Sequence, residues 1–225
     1  MNPDLPSTKL NFQPTQRPLV KACHVCGGNK IYYLFSTSDY RAVRCQDCGL
    51  VFLNPQPSEA ELARIYGADY FLGSENSAER QAVREIKGAT AGLYLSEIRR
   101  YHGAGTGRLL EIGCGNGDFL VQAESAGWQV TGVEYTAAAC ATAQGRLKNG
   151  EVRCGELAGL KLPPDQYDLC VIADVLEHVR SPLELLREIH RVLKPGGTLF
   201  VATPSLDSWS ARLLRQKWRN SRPST

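Results

Sequence analysis

A chain of 225 residues, 43% hydrophobic and 22% charged, is globular in composition, with room for one α/β domain plus a small appendage. Its net charge of +3 is too small to imply a nucleic-acid partner by itself. No apolar run approaches the roughly 20 residues of a membrane span, and Met1–Val20, rich in Pro, Asn, Gln and Thr, lacks the apolar core of a signal peptide.

A cytoplasmic, reducing location is therefore expected, where the eight cysteines serve as metal ligands and buried thiols rather than disulfides. Residues 1–20 read as a flexible leader. Cys23-x2-Cys26, eighteen intervening residues and Cys45-x2-Cys48 then fall inside the spacing of a four-cysteine zinc site. Four thiolates fill a tetrahedral shell and leave no open position, so a Zn2+ held there is structural. His24 reads as an exposed turn residue rather than a fifth ligand. Lys30–Phe35 and Tyr40–Val43 are expected as the short strands of a zinc ribbon over residues 21–56, extended by Gly49–Leu53 and too small to fold without metal.

Residues 57–104 read as a helical linker or cap. Ser58 and Glu61 have capping-box spacing over a short helix to Tyr66. An aromatic loop follows at Asp69–Gly73. A long helix from about Ser77 to Tyr101 carries Val83, Ile86, Leu93, Tyr94 and Ile98 at near-helical spacing, with Gly88 and Gly92 weakening it as the place for a bend.

From residue 105 to 207 strand and helix alternate, as a parallel sheet requires. Strands are expected at Arg108–Ile112, Gln129–Glu134, Glu151–Cys154, Tyr167–Ala173 and Thr198–Thr203. Helices are expected at Asp118–Ala126, Thr136–Gln144 and Ser181–Leu193, the last with Ser181 as N-cap, Pro182 at its first turn and Pro195-Gly196-Gly197 as its stop. The fold class is thus α/β: a Rossmann-like, doubly wound, mainly parallel sheet of about five strands, C-terminally incomplete, preceded by a small zinc ribbon. Residues 208–225 hold Arg212, Arg215, Lys217, Arg219 and Arg222 with no acid, a basic tail read as a truncated helix and loop.

The stretch Leu109-Leu110-Glu111-Ile112-Gly113-Cys114-Gly115-Asn116-Gly117-Asp118 organises this domain. Alternate glycines let the backbone turn sharply at the end of a strand and approach a ligand, while the next helix aims unpaired N–H groups at it. A dinucleotide fingerprint wants a small residue at 118, where Asp118 stands instead. Glu111 places a carboxylate inside an apolar strand, costly without a partner such as a ligand ammonium. Three more acids fall at strand ends: Glu134, Glu156 and Asp174. In a doubly wound sheet that edge is where ligands bind.

These residues resemble the class I S-adenosylmethionine-dependent methyltransferases over about residues 105–205. The matching pieces are Glu111–Gly117, Gly132-Val133-Glu134, Tyr167-Asp168-Leu169, Asp174–Val179 and Leu193–Gly197. The resemblance implies S-adenosyl-L-methionine as cofactor and methyl transfer to a nucleophile. It assigns Glu111, Gly113, Cys114, Gly115 and Gly117 to the cofactor bend and Glu134 to the ribose hydroxyls. Tyr135, Glu156 and Leu157 fall to the adenine, and Asp174 to the methionine portion. Cys114, Cys140, Cys154 and Cys170 read as packing thiols.

Methyl transfer needs chiefly alignment, plus a base when the acceptor is a hydroxyl or an acidic carbon. His178 is the candidate by type and position. Asp174, Glu177 and His178 also resemble the metal-contacting run of some quinone-pathway O-methyltransferases, and a helix-end structural histidine is a third reading. Residues 23–72 are similar to the zinc-binding leader of some bacterial methyltransferases, including those acting on sugars. The expected acceptor is a small molecule or sugar, methylated on O, N or C. An RNA methyltransferase gripping its substrate with the ribbon is an alternative, against which Lys21–Val51 carries only four basic residues (Lys21, Lys30, Arg41, Arg44) and two acids. A non-catalytic protein that binds the cofactor is the other.

Overall fold

The computed structural model describes residues 17–37, 40–65 and 77–205. Most of the expected leader, the aromatic loop at Asp69–Gly73 and the basic tail at 208–225 lie outside the described residues. The chain forms two compact units. Among the described residues, no helix is long and apolar enough to cross a membrane.

The smaller unit is a three-stranded antiparallel sheet in the order β1-β2-β3, with β1 at Ile31–Thr37, β2 at Tyr40–Cys45 and β3 at Val51–Leu53. Among the described residues, its buried apolar side chains are Ala42, Val43 and the cysteines Cys23 and Cys45. So few cannot hold a sheet by hydrophobic burial alone. Helix α1 (Glu59–Ile65) follows. Ser58 and Glu61 form the expected capping box: Ser58 N donates to Glu61 Oε2 at 2.8 Å and Glu61 N donates to Ser58 Oγ at 3.3 Å. Arg17 adds a charged clamp, its Nη2 donating to Glu61 Oε1 at 2.6 Å. That guanidinium and the Ser58 N–H lower the Glu61 carboxyl to about 2.

The larger unit begins with α2 (Ser77–His102) and continues β4 (Arg108–Ile112), α3 (Asp118–Ser125), β5 (Gln129–Glu134), α4 (Ala137–Gln144), β6 (Glu151–Cys154), α5 (Leu157–Leu160), β7 (Tyr167–Ala173), α6 (Pro182–Val192) and β8 (Leu193–Ala202). The sheet order is β6-β5-β4-β7-β8, and each neighbouring pair is parallel. Both faces are covered, which explains the near-continuous apolar runs of β4 and β7. Leu109, Leu169 and Val171 enter one core layer with Phe119, Leu120 and Trp128. Leu110, Ile112, Cys170 and Ile172 enter the other with Ile189 and Val192.

Several expectations are corrected. Helix α2 buries Ala91 and Ile98, whereas Val83, Ile86 and Leu93 are exposed. The apolar positions therefore do not share one face, and a small alanine is a core residue in their place. The helix also runs through Gly88 and Gly92 without interruption. Helix α3 packs beside them, where Gln122 Nε2 donates to Gly88 O at 2.7 Å.

At the other end, β8 starts at Leu193, not Thr198. Tyr167 pairs with Leu193 and Leu169 with Thr198, so Lys194–Gly197 bulge out between two paired positions. The Pro-Gly-Gly segment forms that bulge, and α6 has already ended at Val192. Ser181 is the N-cap of α6 by position, but its side chain makes no capping hydrogen bond.

Cys140 and Cys154, expected as packing thiols, form a disulfide. The cause is tertiary: α4 lies along β6 and brings together two side chains 14 residues apart, a spacing that belongs to no metal or redox motif.

Candidate functional site

The carboxyl edge of the sheet gathers the expected side chains because the strands are in register there. Glu111 pairs with Gly132 and Ile112 with Val133, and Glu134 pairs with Cys154. The bend after β4 is anchored on its neighbour: Gly113 N and Cys114 N both donate to Val133 O, at 2.8 and 3.2 Å. Gly113 has φ +73°, and a Cβ on it would lie 2.4 Å from Val175 Cγ2, so both conformation and space demand glycine. Gly132 is extended, but a Cβ there would lie 2.6 Å from Leu120 Cδ1 and 2.8 Å from Cys114 Sγ.

Glu134 is buried at the end of β5. Its Oε2 accepts from Gly115 N at 3.0 Å and its Oε1 from Thr136 N at 3.0 Å. Thr136 Oγ1 also donates to Oε1, at 3.4 Å, so Oε2 is the oxygen that keeps a further lone pair. Glu111 is also buried, and its Oε2 has no hydrogen-bond partner among the described residues. Burial, reinforced by the nearby charges of Asp118 and Glu134, raises its carboxyl to about 8. An acid orphaned in this way fits a ligand carrying a positive charge and an N–H donor.

The remaining strand-end residues differ in exposure. Tyr135 is 63% exposed, and Glu156, the N-cap residue of α5, is exposed as well. Leu157 is buried in the second core layer. Cys114 is buried, and burial with the charges of Glu111 and Glu134 holds its thiol far above the ordinary range. Cys170 is likewise pushed up to about 12 by burial.

After β7 the chain turns sharply, with Asp174 at φ +53°, a left-handed conformation uncommon outside glycine. Asp174 N donates to Ala202 O at 2.9 Å. Burial and the charge of Glu177 raise the Asp174 carboxyl, while His178 pulls it down. His178 Nε2 is 3.9 Å from Glu177 Oε1, and Thr203 Oγ1 donates to Glu177 Oε2 at 3.1 Å. Asp174, Glu177 and His178 thus form a polar group at the end of β7, with the imidazole open to solvent.

One residue of this edge carried no local signal. Arg146, after α4, donates to Asn116 O at 2.6 Å and pairs with Asp118 Oδ1 at 2.8 Å. It fastens the glycine bend from a segment thirty residues away, a contact that only the fold creates.

In the ribbon, the sulfurs of Cys23, Cys26, Cys45 and Cys48 all lie within 4.8 Å of one another. Tetrahedral zinc with bonds of about 2.3 Å needs sulfurs about 3.8 Å apart, and the four thiols fit it. Turn hydrogen bonds fix both pairs, with Cys23 N donating to Gly28 O at 2.8 Å and Cys45 N to Leu50 O at 2.9 Å.

This Rossmann-like architecture is that of the methyltransferases. A methyltransferase domain model matches residues 110–201, and a zinc ribbon domain model matches residues 20–53. The first of these matches is to the domain of the S-adenosylmethionine-dependent methyltransferases, a family whose cofactor is S-adenosyl-L-methionine. It is 34% identical over 102 residues to a candidate S-adenosylmethionine-dependent methyltransferase of Mycolicibacterium smegmatis, covering 45% of this chain and 40% of that protein. It is 33% identical over 103 residues to the ubiquinone biosynthesis O-methyltransferase of Pseudomonas syringae pv. tomato, covering 43% and 44%. The match thus spans less than half the length of these relatives. Among solved structures, a candidate S-adenosyl-L-methionine-dependent methyltransferase of Methanococcus maripaludis shares the fold, with a TM-score of 0.50 at 19% identity over 65% of this chain and 78% of that one.

Proposed function

We propose that this protein transfers a methyl group from S-adenosyl-L-methionine to a small-molecule or sugar acceptor, most readily at a hydroxyl oxygen. The observation that carries the reading is Glu111, a buried carboxyl group beneath the glycine bend, one oxygen of which has no hydrogen-bond partner among the described residues. The cofactor's ammonium group meets that need, and the absence of phosphate suits an edge lined by acids. When bound, the cofactor supplies an already activated methyl on a sulfonium.

The chain's own residues then do the work of holding and aligning. Gly113, Cys114, Gly115 and Gly117 supply a backbone surface, and Glu134 offers the remaining lone pair of its Oε2 to the ribose hydroxyls. Tyr135 covers the adenine, Glu156 accepts from its amino group and Leu157 backs that wall from the core. Asp174 faces the methionine portion. His178, with Glu177 beside it, takes the proton of an acceptor hydroxyl. The oxygen-acceptor preference draws on the relative named as a ubiquinone biosynthesis O-methyltransferase.

Four thiolates hold Zn2+ as a structural ion, which fits a reducing, cytoplasmic setting. The ribbon's sparse charge speaks against an RNA substrate. Calorimetry of the full chain with S-adenosylmethionine and S-adenosylhomocysteine tests the reading. Saturable binding that disappears in Gly115→Arg is expected, and a wild-type chain that binds neither compound overturns it.

A further inference from the structure

We propose that Cys140 and Cys154 form a thiol-modification site that responds to a low-molecular-weight thiol/disulfide couple such as glutathione and adjusts the cofactor edge. Cys140 is buried in α4, and Cys154 is the exposed last residue of the edge strand β6. The two are bonded across a 14-residue separation. The inference rests on the cofactor reading above, because the residues flanking this bond are those assigned to ribose and adenine. Cys154 pairs in register with Glu134, and the next residue, Gly155, donates its N–H to Glu134 O at 2.8 Å. Glu156 and Leu157 follow directly. The bond therefore straps the start of the adenine wall to the helix that begins just after Tyr135.

Exposure decides which sulfur reacts. An incoming thiolate reaches Cys154 Sγ, forms a mixed disulfide there and expels Cys140 as a thiolate that takes up a proton. A second thiol attacks the outer sulfur of the mixed disulfide and frees Cys154. The sum is one protein disulfide plus two thiols giving two protein thiols plus one low-molecular-weight disulfide. In the reverse direction Cys154 is modified first and Cys140 resolves it, with the low-molecular-weight disulfide as oxidant. The other thiols of the large unit stay out of this chemistry: Cys114 and Cys170 are buried, and their thiols are held above the ordinary range.

Cutting the strap leaves β6 as an edge strand with no covalent tie to α4. It is then held by its ladder to β5, by Gln144 at the end of α4, whose Oε1 accepts from Val152 N at 2.8 Å, and by the burial of Leu157 just beyond it. The adenine wall must then be ordered when the ligand binds, so affinity falls. About a 3–10-fold weakening is expected from the lost pre-organisation.

The test uses the full, zinc-loaded chain equilibrated in glutathione buffers from reducing to oxidising. Thiols are trapped by alkylation and located by peptide mass spectrometry, and S-adenosylhomocysteine binding is measured by calorimetry at both extremes. Expected are reversible conversion of the Cys140–Cys154 pair alone, weaker binding in the reduced form, and a Cys140→Ser/Cys154→Ser variant that binds like the reduced form in both buffers. A pair that never interconverts overturns the proposal. Equal affinity in both buffers overturns the switch while leaving the cofactor reading intact. Loss of binding in both buffers is instead the failure of that reading, and it takes the coupling with it.

Discussion

Gly115 donates its N–H to Glu134 Oε2 at 3.0 Å, which ties the glycine bend after one strand to the carboxylate that ends the next. The other oxygen of Glu134 receives Thr136 N at 3.0 Å. One buried acid thus fixes two loops that a ligand would touch. Glu134→Gln keeps the shape but turns one oxygen into an NH2 group facing an N–H donor. A stability loss of about 1–3 kcal/mol is expected in urea denaturation, the cost of a buried donor left unpaired. Affinity for S-adenosylhomocysteine should fall with it. An unchanged unfolding midpoint would mean that the two loops are held by other contacts.

Glu111 gives a pH dependence with a definite sign. Its carboxyl is raised from 4.5 to about 8 in the folded chain, chiefly by burial. Between those values the unfolded chain has released a proton that the folded chain keeps. This group therefore makes stability decline as pH rises from about 4.5 to about 8, and level off above. Glu111→Gln should remove that slope. Cofactor binding should run the other way. A cationic ammonium pairs with the ionised acid, so binding below pH 8 releases a proton and affinity climbs by up to about tenfold per pH unit before flattening. Calorimetry near pH 6.5 in buffers of different ionisation enthalpy counts the protons, and zero release contradicts the pairing.

The ribbon has too little apolar burial to stand without its metal: among the described residues its buried apolar side chains other than cysteine are Ala42 and Val43. Reductively purified chain should carry about one zinc per molecule, bound by Cys23, Cys26, Cys45 and Cys48. Cys45→Ser removes a fully buried ligand, so metal content should drop and a chelator should unfold the ribbon more readily. Zinc content that is unaffected by Cys45→Ser would refute the four-cysteine assignment.

The residues differ in how far their roles could be read from the chain alone. Strands β4 and β7 were legible to the residue because buried parallel strands are short apolar runs closed by glycine or a polar turn, and β5 and the exposed edge strand β6 because helices and turns alternate with strands around them. The four cysteines were legible because metal chemistry imposes a spacing. The acids at Glu111, Glu134, Glu156 and Asp174 were legible as strand ends, but their partners were not. That Gly115 N–H would occupy Glu134, or that Arg146 would clasp Asp118, depends on strand order and not on local pattern. The same reason hid the disulfide, which needs α4 laid against β6. Helix α2 misled because apolar residues that the fold leaves exposed count equally in a periodicity.

The first glycine of the bend offers a test that separates conformational strain from crowding. Gly113 has φ +73° and stands where a Cβ would come within 2.4 Å of Val175 Cγ2. Gly113→Ala should therefore cost about 1–2 kcal/mol for a left-handed alanine, plus about 1–3 kcal/mol for overpacking against Val175. Val175→Ala makes room for the added methyl but leaves the backbone strained. In a double-mutant cycle read by chemical denaturation, the pair should recover the crowding component and retain the conformational one, a coupling of about 1–3 kcal/mol. Full recovery would show that φ contributes nothing at this position. No recovery would show that the bend moves away from Val175 by itself, and that backbone conformation alone demands glycine there.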